Sequence, residues 1–221
     1  MVTILHRILF IAGFISVGAA FAAEPTIEEM NREIEKKLAD IKIKQRAVEA
    51  GSDRALLCSY CHGDNGNSKK PVIPNLAGQN PFYLLDQIDR FSDGRRKNFV
   101  MNSLAKSFTA EDKINLAIFY SSMDVKPINI DRQLAKVGRS IFNTKCSSCH
   151  GPKGLGNKTF ARLAGQQTTY VTNTLFRFRD NARSSDSSRE TTRQSSLMES
   201  VVKNLTDEQI NALAAYVGQL R

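Results

Sequence analysis

The stretch CSYCHGDNGNSKKPVIPNLAGQ at residues 58–79 occurs a second time, one residue shorter, as CSSCHGPKGLGNKTFARLAGQ at residues 146–166. These two stretches contain all four cysteines of the 221-residue chain and two of its three histidines. In both, two cysteines are separated by two residues and followed at once by a histidine. The repetition indicates that one kind of site has been built twice in a single chain.

The spacing C-x-x-C-H is typical of covalent c-type haem attachment. Two thiols one helical turn apart can form thioethers with the two vinyl groups of one porphyrin, and the adjacent imidazole can ligate the iron. Disulfides, a thioredoxin-like thiol pair and a four-cysteine zinc site are the competing uses, but none of them explains the histidines. We therefore predict two covalently bound haem c groups. The residues predicted to hold them are Cys58, Cys61 and His62, and Cys146, Cys149 and His150.

The repeat continues beyond the cysteine motifs, and residues 101–123 match residues 198–220 without a gap. The second half is longer by ten residues between its LAGQ segment and its methionine, in the polar segment 182–196. The arginines of that segment could contact haem propionates or remain in solvent. Four pairs mark the alignment: Gln79 with Gln166, Tyr83 with Tyr170, Arg96 with Arg183, and Met101 with Met198.

The N-terminus has the features of a secretory signal peptide. A short basic lead, MVTILHR, precedes the apolar run ILFIAGFISVGA, which is too short for a comfortable membrane helix. Small residues then lead up to Ala22, near which we expect cleavage. Residues 1–22 are therefore interpreted as a signal peptide, and the mature chain is expected to work outside the cytoplasm.

The second axial ligand of each haem is predicted from the repeat. After removal of the signal peptide, His62 and His150 are the only histidines, so a thioether is the expected donor. Met198 is the sole methionine of the second half, and its repeat partner is Met101. The rival in the first half, Met123, falls on a leucine in the repeat and is expected in the core.

Periodicity predicts an all-α chain, since no alternating strand pattern of useful length is found. Apolar residues recur at helical spacing before the second haem motif, and two segments begin with a capping-box arrangement. The residues concerned are Leu134, Val137, Ile141 and Phe142 for the first signal, and Thr109 with Asp112 and Thr206 with Gln209 for the second.

A charged segment, residues 23–50, precedes the first motif. Ile27, Ile34, Ile41 and Val48 recur every seven residues, which predicts a helix with one apolar side. That side could pack on the first domain, mediate self-association through residues 27–48, or dock on a partner subunit. We divide the remainder into a first domain, residues 51–130, and a second domain, residues 131–221.

These motifs resemble class I cytochrome c domains, and two in tandem behind a signal peptide resemble the two-haem cytochrome c4 family of the bacterial periplasm. The resemblance implies Met101 and Met198 as axial ligands, periplasmic location, and single-electron transfer between a respiratory donor, such as a quinol-oxidising complex, and a terminal haem–copper oxidase. It also implies a bond from each proximal histidine to a backbone carbonyl, at Pro74 and its repeat partner Ala161. The alternatives are a bound subunit of a respiratory complex and an enzyme, either a two-haem peroxidase or a thiosulfate dehydrogenase.

Charge differs between the halves. Residues 51–130 carry ten basic and eight acidic side chains, whereas residues 131–221 carry fourteen and seven. The basic second half favours an acidic redox partner, or peripheral contact with anionic lipid, over a neutral surface. Nucleic acid is not an expected partner outside the cytoplasm.

Overall fold

The computed structural model describes residues 24–184 and 193–221. The predicted signal peptide, residues 1–22, lies outside these ranges, as do residues 185–192 of the polar segment. Within them the chain forms helices and no strand, which confirms the all-α prediction. The helices are α1 (Ile27–Ala39), α2 (Ile41–Arg54), α3 (Leu56–His62), α4 (Pro81–Ser92), α5 (Phe99–Lys106), α6 (Ala110–Ser121), α7 (Arg132–Lys145), α8 (Ser147–His150), α9 (Thr168–Arg183), α10 (Ser196–Val202) and α11 (Asp207–Gln219).

The helices pack as two domains in tandem. Helices α1–α6 surround one hydrophobic core, in which Leu85 and Ile118 are fully buried. Helices α7–α11 surround a second core, in which Phe142 and Ile210 are fully buried. In the part of the chain described, no helix is both long and apolar enough to cross a membrane.

The same helix crossing organises both domains. The long helix that leads into each haem motif, α2 or α7, lies against the last helix of its domain, α6 or α11, and a glycine stands at each crossing. A Cβ atom at Gly51 would overlap the carbonyl oxygen of Asn115, and one at Gly138 would overlap that of Ala212. Only glycine allows the two backbones to approach so closely. Because α2 begins at Ile41, it runs through the boundary predicted between residues 50 and 51.

The last helix of each domain begins as the sequence predicts. The Thr109 side chain accepts a hydrogen bond from the Asp112 backbone N–H, and the Asp112 carboxylate accepts one from the Thr109 N–H. Thr206 and Gln209 form the equivalent reciprocal pair before α11. Both capping boxes are therefore present, and each satisfies two N–H groups that a helix start would otherwise leave unpaired.

The segment before the first haem motif forms two helices rather than one. Asp40 ends α1 with extended backbone, and its carboxylate then accepts hydrogen bonds from the N–H groups of Lys42 and Ile43 at the start of α2. This break divides the seven-residue stripe, and Ile41 is left 82% exposed. The buried Met30 and Ile34 instead pack into the first core, so the apolar side of α1 is used within the chain.

Helix α7 is present where the sequence predicts it, and two of its four predicted apolar positions, Ile141 and Phe142, pack into the second core. Ala135, Gly138 and Phe142 are buried, whereas Leu134 and Val137 are exposed. The small residues face α11 because the close crossing has no room for larger ones.

Candidate haem sites

Each cysteine pair is placed where two thiols could meet one porphyrin edge. Cys58 and Cys61 lie one turn apart on α3, which ends at His62. Cys146 is the N-cap of α8, and this short helix ends at His150. All four cysteines are free thiols. The two halves therefore present the same thiol, thiol and imidazole arrangement.

The first thiol of each pair lacks the lowered pKa of a redox-active nucleophile. Burial raises the pKa of Cys58 and raises that of Cys146 to about 11. A thioredoxin-like pair needs the opposite shift, because its nucleophile is the thiolate. A shared zinc site also has no support, since no cluster of three or more His, Cys, Asp or Glu side chains suited to a metal ion occurs within residues 24–184 and 193–221.

Both histidines are held by a backbone carbonyl, as expected. His62 Nδ1 lies 2.9 Å from the carbonyl oxygen of Pro74, and His150 Nδ1 lies 2.8 Å from that of Ala161. A carbonyl can only accept, so Nδ1 carries the proton and the lone pair stays on Nε2. Each histidine is only 8% exposed, and burial lowers both pKa values. The result is two neutral, oriented imidazoles of the kind that ligate metal.

The two predicted methionine ligands occupy matching places. Met101 and Met198 are each the third residue of a short helix, α5 or α10. Their backbone N–H groups donate to the N-cap side chains of Asn98 and Ser195, at 3.0 and 3.3 Å. Met198 borders the second core. Met123, the rival in the first half, packs against the first core in the same way.

A reciprocal pair of glutamines joins the two domains. The buried Gln166 accepts from the Asn75 N–H at 2.7 Å and donates to the Asn75 carbonyl at 2.9 Å. Gln79 does the same to the backbone of Arg162, at 2.7 and 2.9 Å. Each LAGQ segment therefore binds the main chain just before the LAGQ of the other domain, and this contact fixes the relation between the two candidate sites.

A second contact between the domains is made by arginine and tyrosine side chains. Arg96 donates from Nη2 to the Tyr170 hydroxyl at 3.1 Å. Arg193 donates from Nη1 to the same hydroxyl at 3.2 Å and from Nη2 to the Tyr83 hydroxyl. We call these four residues the interdomain arginine cluster.

The cluster corrects the sequence alignment at one position. Arg183, the predicted partner of Arg96, is exposed and donates to the carbonyl oxygens of Lys203 and Leu205 instead. Arg193 takes its place, on the far side of the additional residues. An alignment counted back from the two methionines would have found Arg193, because Arg96 lies five residues before Met101 and Arg193 lies five residues before Met198.

Comparisons with known proteins agree with this geometry. The profile of the cytochrome c family matches residues 135–221. A cytochrome c4 of Pseudomonas aeruginosa is 32% identical over 178 residues, which cover 76% of this chain and 86% of that protein. This chain belongs to the cytochrome c4 family.

Two further matches extend this finding. The crystal structure of reduced recombinant cytochrome c4 from Pseudomonas stutzeri matches with a TM-score of 0.68 at 31% identity, covering 79% of this chain and 98% of that one. A thiosulfate dehydrogenase electron acceptor of Thiomonas intermedia is 30% identical over 76% of this chain and 80% of its own. As a member of the cytochrome c4 family, the protein is a two-haem electron-transfer cytochrome with covalently bound haem c.

The residues present fit that cofactor. Free thiols one turn apart, a buried neutral imidazole and a methionine are available in both halves. Cysteine thiols for covalent attachment, with imidazole and thioether as iron ligands, are the side chains from which c-type haem sites are built.

Proposed function

We propose that the protein carries single electrons in the periplasm through two haems with His/Met ligation. Cys58 and Cys61 attach the first haem, with His62 and Met101 as its axial ligands. Cys146 and Cys149 attach the second haem, with His150 and Met198 as its ligands. The observation that carries the proposal is the bond from each histidine Nδ1 to a carbonyl, because it leaves Nε2 of both rings oriented for iron.

The residues proposed to hold the haems suit an electron carrier rather than a catalyst. Bound haem iron supplies a one-electron change between ferric and ferrous states. With an imidazole and a thioether from the chain holding the iron, the protein would offer no coordination position to an exogenous substrate. The Gln79 and Gln166 contacts would hold the two haem-binding sites in one fixed arrangement.

The leading helix supports a carrier over a fixed subunit of a respiratory complex. The buried side chains of α1 contact the chain's own first core. Lys158 of the second domain also forms an ion pair with Glu35 of α1 and lies over the Phe82 ring, 4.8 Å from its centroid. The apolar side of α1 is thus covered without a partner protein. Residues 1–22 would serve as the export signal.

The second domain is suited to an acidic partner. Between Asp131 and Asp180 the sequence has nine basic residues and no acidic one. Several of these lie exposed along α7 and the loop after the second haem motif, namely Arg132, Lys136, Arg139, Lys145 and Lys153. We propose that this basic surface steers the second haem toward an acidic redox protein, such as a terminal haem–copper oxidase.

The electron donor has two candidates. A quinol-oxidising complex is the one suggested by the family resemblance. A thiosulfate dehydrogenase is the second, because the chain is 30% identical to a protein named as the electron acceptor of such an enzyme. In both cases this protein receives the electron and does not oxidise the substrate itself.

The ligand assignment is tested with the purified holoprotein. We expect two haems per chain, a ferric charge-transfer band from Met–iron ligation, and no prompt binding of carbon monoxide to the ferrous protein. Met101→Ala and Met198→Ala should each remove half of the band, and each should open one iron to carbon monoxide.

Met123→Leu is the matched control, because Met123 packs against the core and leucine conserves its volume. It should leave the band unchanged. Loss of half the band in this control, or prompt carbon monoxide binding by the unmutated protein, would show that the assignment is incorrect.

A further inference from the structure

A tyrosine hydroxyl is buried beside one cysteine of the first haem motif. Tyr120 lies on α6 and is 3% exposed, and Cys58 packs against the same hydrophobic core. Burial raises the pKa of Tyr120, and the neighbouring Cys58 thiol raises it further. Burial also raises the pKa of Cys58, and hydrogen bonding with Tyr120 opposes that rise. The phenol and the thiol are therefore direct neighbours.

The Tyr120 hydroxyl is not satisfied by the folded chain. Within residues 24–184 and 193–221, no group meets its oxygen with full hydrogen-bond geometry. Burial of such a hydroxyl is destabilising, and phenylalanine would fill the same space without that penalty. A buried polar atom without a partner calls for an explanation, and one explanation is a partner supplied by a bound ligand.

The Tyr120 ring is held in place on two sides. It packs on the Phe119 ring, with the ring centroids 4.9 Å apart. It also lies against Gly66, in the turn after the first haem motif, where an added Cβ would come within 2.7 Å of the Tyr120 Cδ1. The Gly66 carbonyl accepts from two backbone N–H groups, at 2.7 and 3.0 Å, so this turn is itself fixed. The hydroxyl therefore has a defined position.

The second domain differs from the first at this position. The match of residues 101–123 to residues 198–220 places Val217 where the first domain has Tyr120. A valine side chain has no donor. Burial raises the pKa of Cys146, and the described side chains that also act on it are Lys145 and Cys149. Two otherwise matching haem motifs thus differ by one hydroxyl.

We infer that Tyr120 is a positioning residue of the first haem site, and that its hydroxyl donates to the Cys58 sulfur once this sulfur is bonded to haem. This inference rests on the proposed haem attachment at Cys58 and Cys61. A thioether sulfur can accept a hydrogen bond but cannot donate one, so the phenol is the donor.

The contact has a consequence for the reduction potential. A donor at the Cys58 sulfur draws electron density from the edge of the porphyrin and so favours ferrous over ferric iron. Hydrogen bonds of this kind, outside the iron ligands, are among the means by which a protein tunes a haem. Tyr120 therefore raises the potential of the first haem, whereas Val217 has no such effect on the second.

The test compares the parent and Tyr120→Phe holoproteins in redox titrations followed by NMR of the haem methyl groups, which distinguishes the two haems. Phenylalanine keeps the ring and removes only the hydroxyl oxygen, so the packing should be retained. The potential of the first haem should fall, and that of the second should change several-fold less. The NMR signals of the thioether bridge at Cys58 should shift more than those of the bridge at Cys61.

Tyr216→Phe is the matched control. Tyr216 is 9% exposed and lies on the last helix of the second domain, at the repeat position of Phe119. It is not among the groups that act on Cys146. Removal of its hydroxyl should leave both potentials unchanged.

Three results would overturn the inference. Equal shifts at both haems would indicate a general effect on packing, and a shift at the first haem no larger than that of Tyr216→Phe would exclude a role for the hydroxyl. A larger change at the Cys61 bridge than at the Cys58 bridge would show that the hydroxyl has another acceptor.

A second measurement needs no variant. In the unmutated ferrous protein, the ring protons of Tyr120 next to the hydroxyl should show a nuclear Overhauser effect to the thioether bridge at Cys58. Absence of this effect would exclude the contact, whether or not Tyr120→Phe accumulates.

Failure of this inference is distinguishable from failure of the proposed function. The haem content and the Met–iron band of the unmutated protein test the proposed attachment and ligands alone. If both are as expected while Tyr120→Phe behaves like Tyr216→Phe, the haem sites are correct and the role of Tyr120 is not.

Discussion

Replacement of Gln166 by alanine should weaken the contact between the domains more than any exposed glutamine substitution. The side chain is 8% exposed and pairs with both backbone groups of Asn75, which is itself 5% exposed. Alanine would leave the Asn75 N–H and carbonyl without partners. An unsatisfied buried polar group costs about 1–3 kcal/mol, and two such groups would be left. Because water entering the site would offset part of this cost, the free energy of unfolding should fall by about 2–4 kcal/mol.

The structure also predicts an order among three variants. Gln79→Ala breaks the equivalent contact with Arg162. Gln79 is as buried as Gln166, but Arg162 is only partly buried, so water can reach its backbone groups more easily and the loss should be smaller. Gln133→Ala alters an exposed side chain of α7 and should stay within about 0.5 kcal/mol of the parent. The expected order of destabilisation is Gln166→Ala, then Gln79→Ala, then Gln133→Ala.

Guanidinium unfolding of the oxidised holoproteins, followed by far-UV circular dichroism and by the Met–iron band, measures these differences. In Gln166→Ala the two signals should no longer change together, because the domains then unfold with less mutual support. If Gln166→Ala is as stable as Gln133→Ala, the contact does not hold the domains together and the reasoning from burial is incorrect.

Three further outcomes follow from the fold. Gly138→Ala places a Cβ against a backbone carbonyl of α11 and should destabilise the second domain by about 1–3 kcal/mol, although alanine has the better helix propensity. An unchanged midpoint of thermal unfolding would contradict the close crossing of α7 and α11. Thr206→Ala removes a capping box and should lower the free energy of unfolding by about 1 kcal/mol, measured by thermal unfolding. Thr144→Ala, at an exposed position of α7, should lower it by less than half as much. The double variant Lys136→Glu and Arg139→Glu should reduce electron transfer to an acidic redox protein about tenfold or more at low salt, with the difference vanishing at high salt; a salt-independent difference would argue against steering.

Short-range signals in the sequence were sufficient for the haem motifs and for the helix starts. The C-x-x-C-H spacing and the Thr109 and Thr206 capping boxes depend on residues within one turn of each other, so no knowledge of the tertiary structure is needed. The carbonyl bonds at Pro74 and Ala161 were expected from the family resemblance and do not depend on which side chain the residue has.

Features that depend on distant parts of the chain could not be predicted in this way. The apolar pattern of α7 draws attention to Leu134 and Val137, but the distance to α11 selects Gly138 for the packed side. The stripe before the first motif suggests one helix, yet the Asp40 carboxylate starts a new one. Arg193 was missed because the additional residues shift the repeat between α9 and α10.

The glutamine contact between the domains has a consequence for how such a chain could arise. Gln79 and Gln166 pair with N–H and carbonyl groups of the main chain, so these four hydrogen bonds form equally well at Asn75 and Arg162 of the repeat. The Asn75 side chain adds a bond of its own, to the Gly165 carbonyl at 2.9 Å. Two identical single domains carrying the LAGQ segment could form the same two-fold, self-complementary contact. The interface is therefore compatible with a homodimer that existed before gene duplication and fusion, and after fusion the two copies were free to acquire different surfaces.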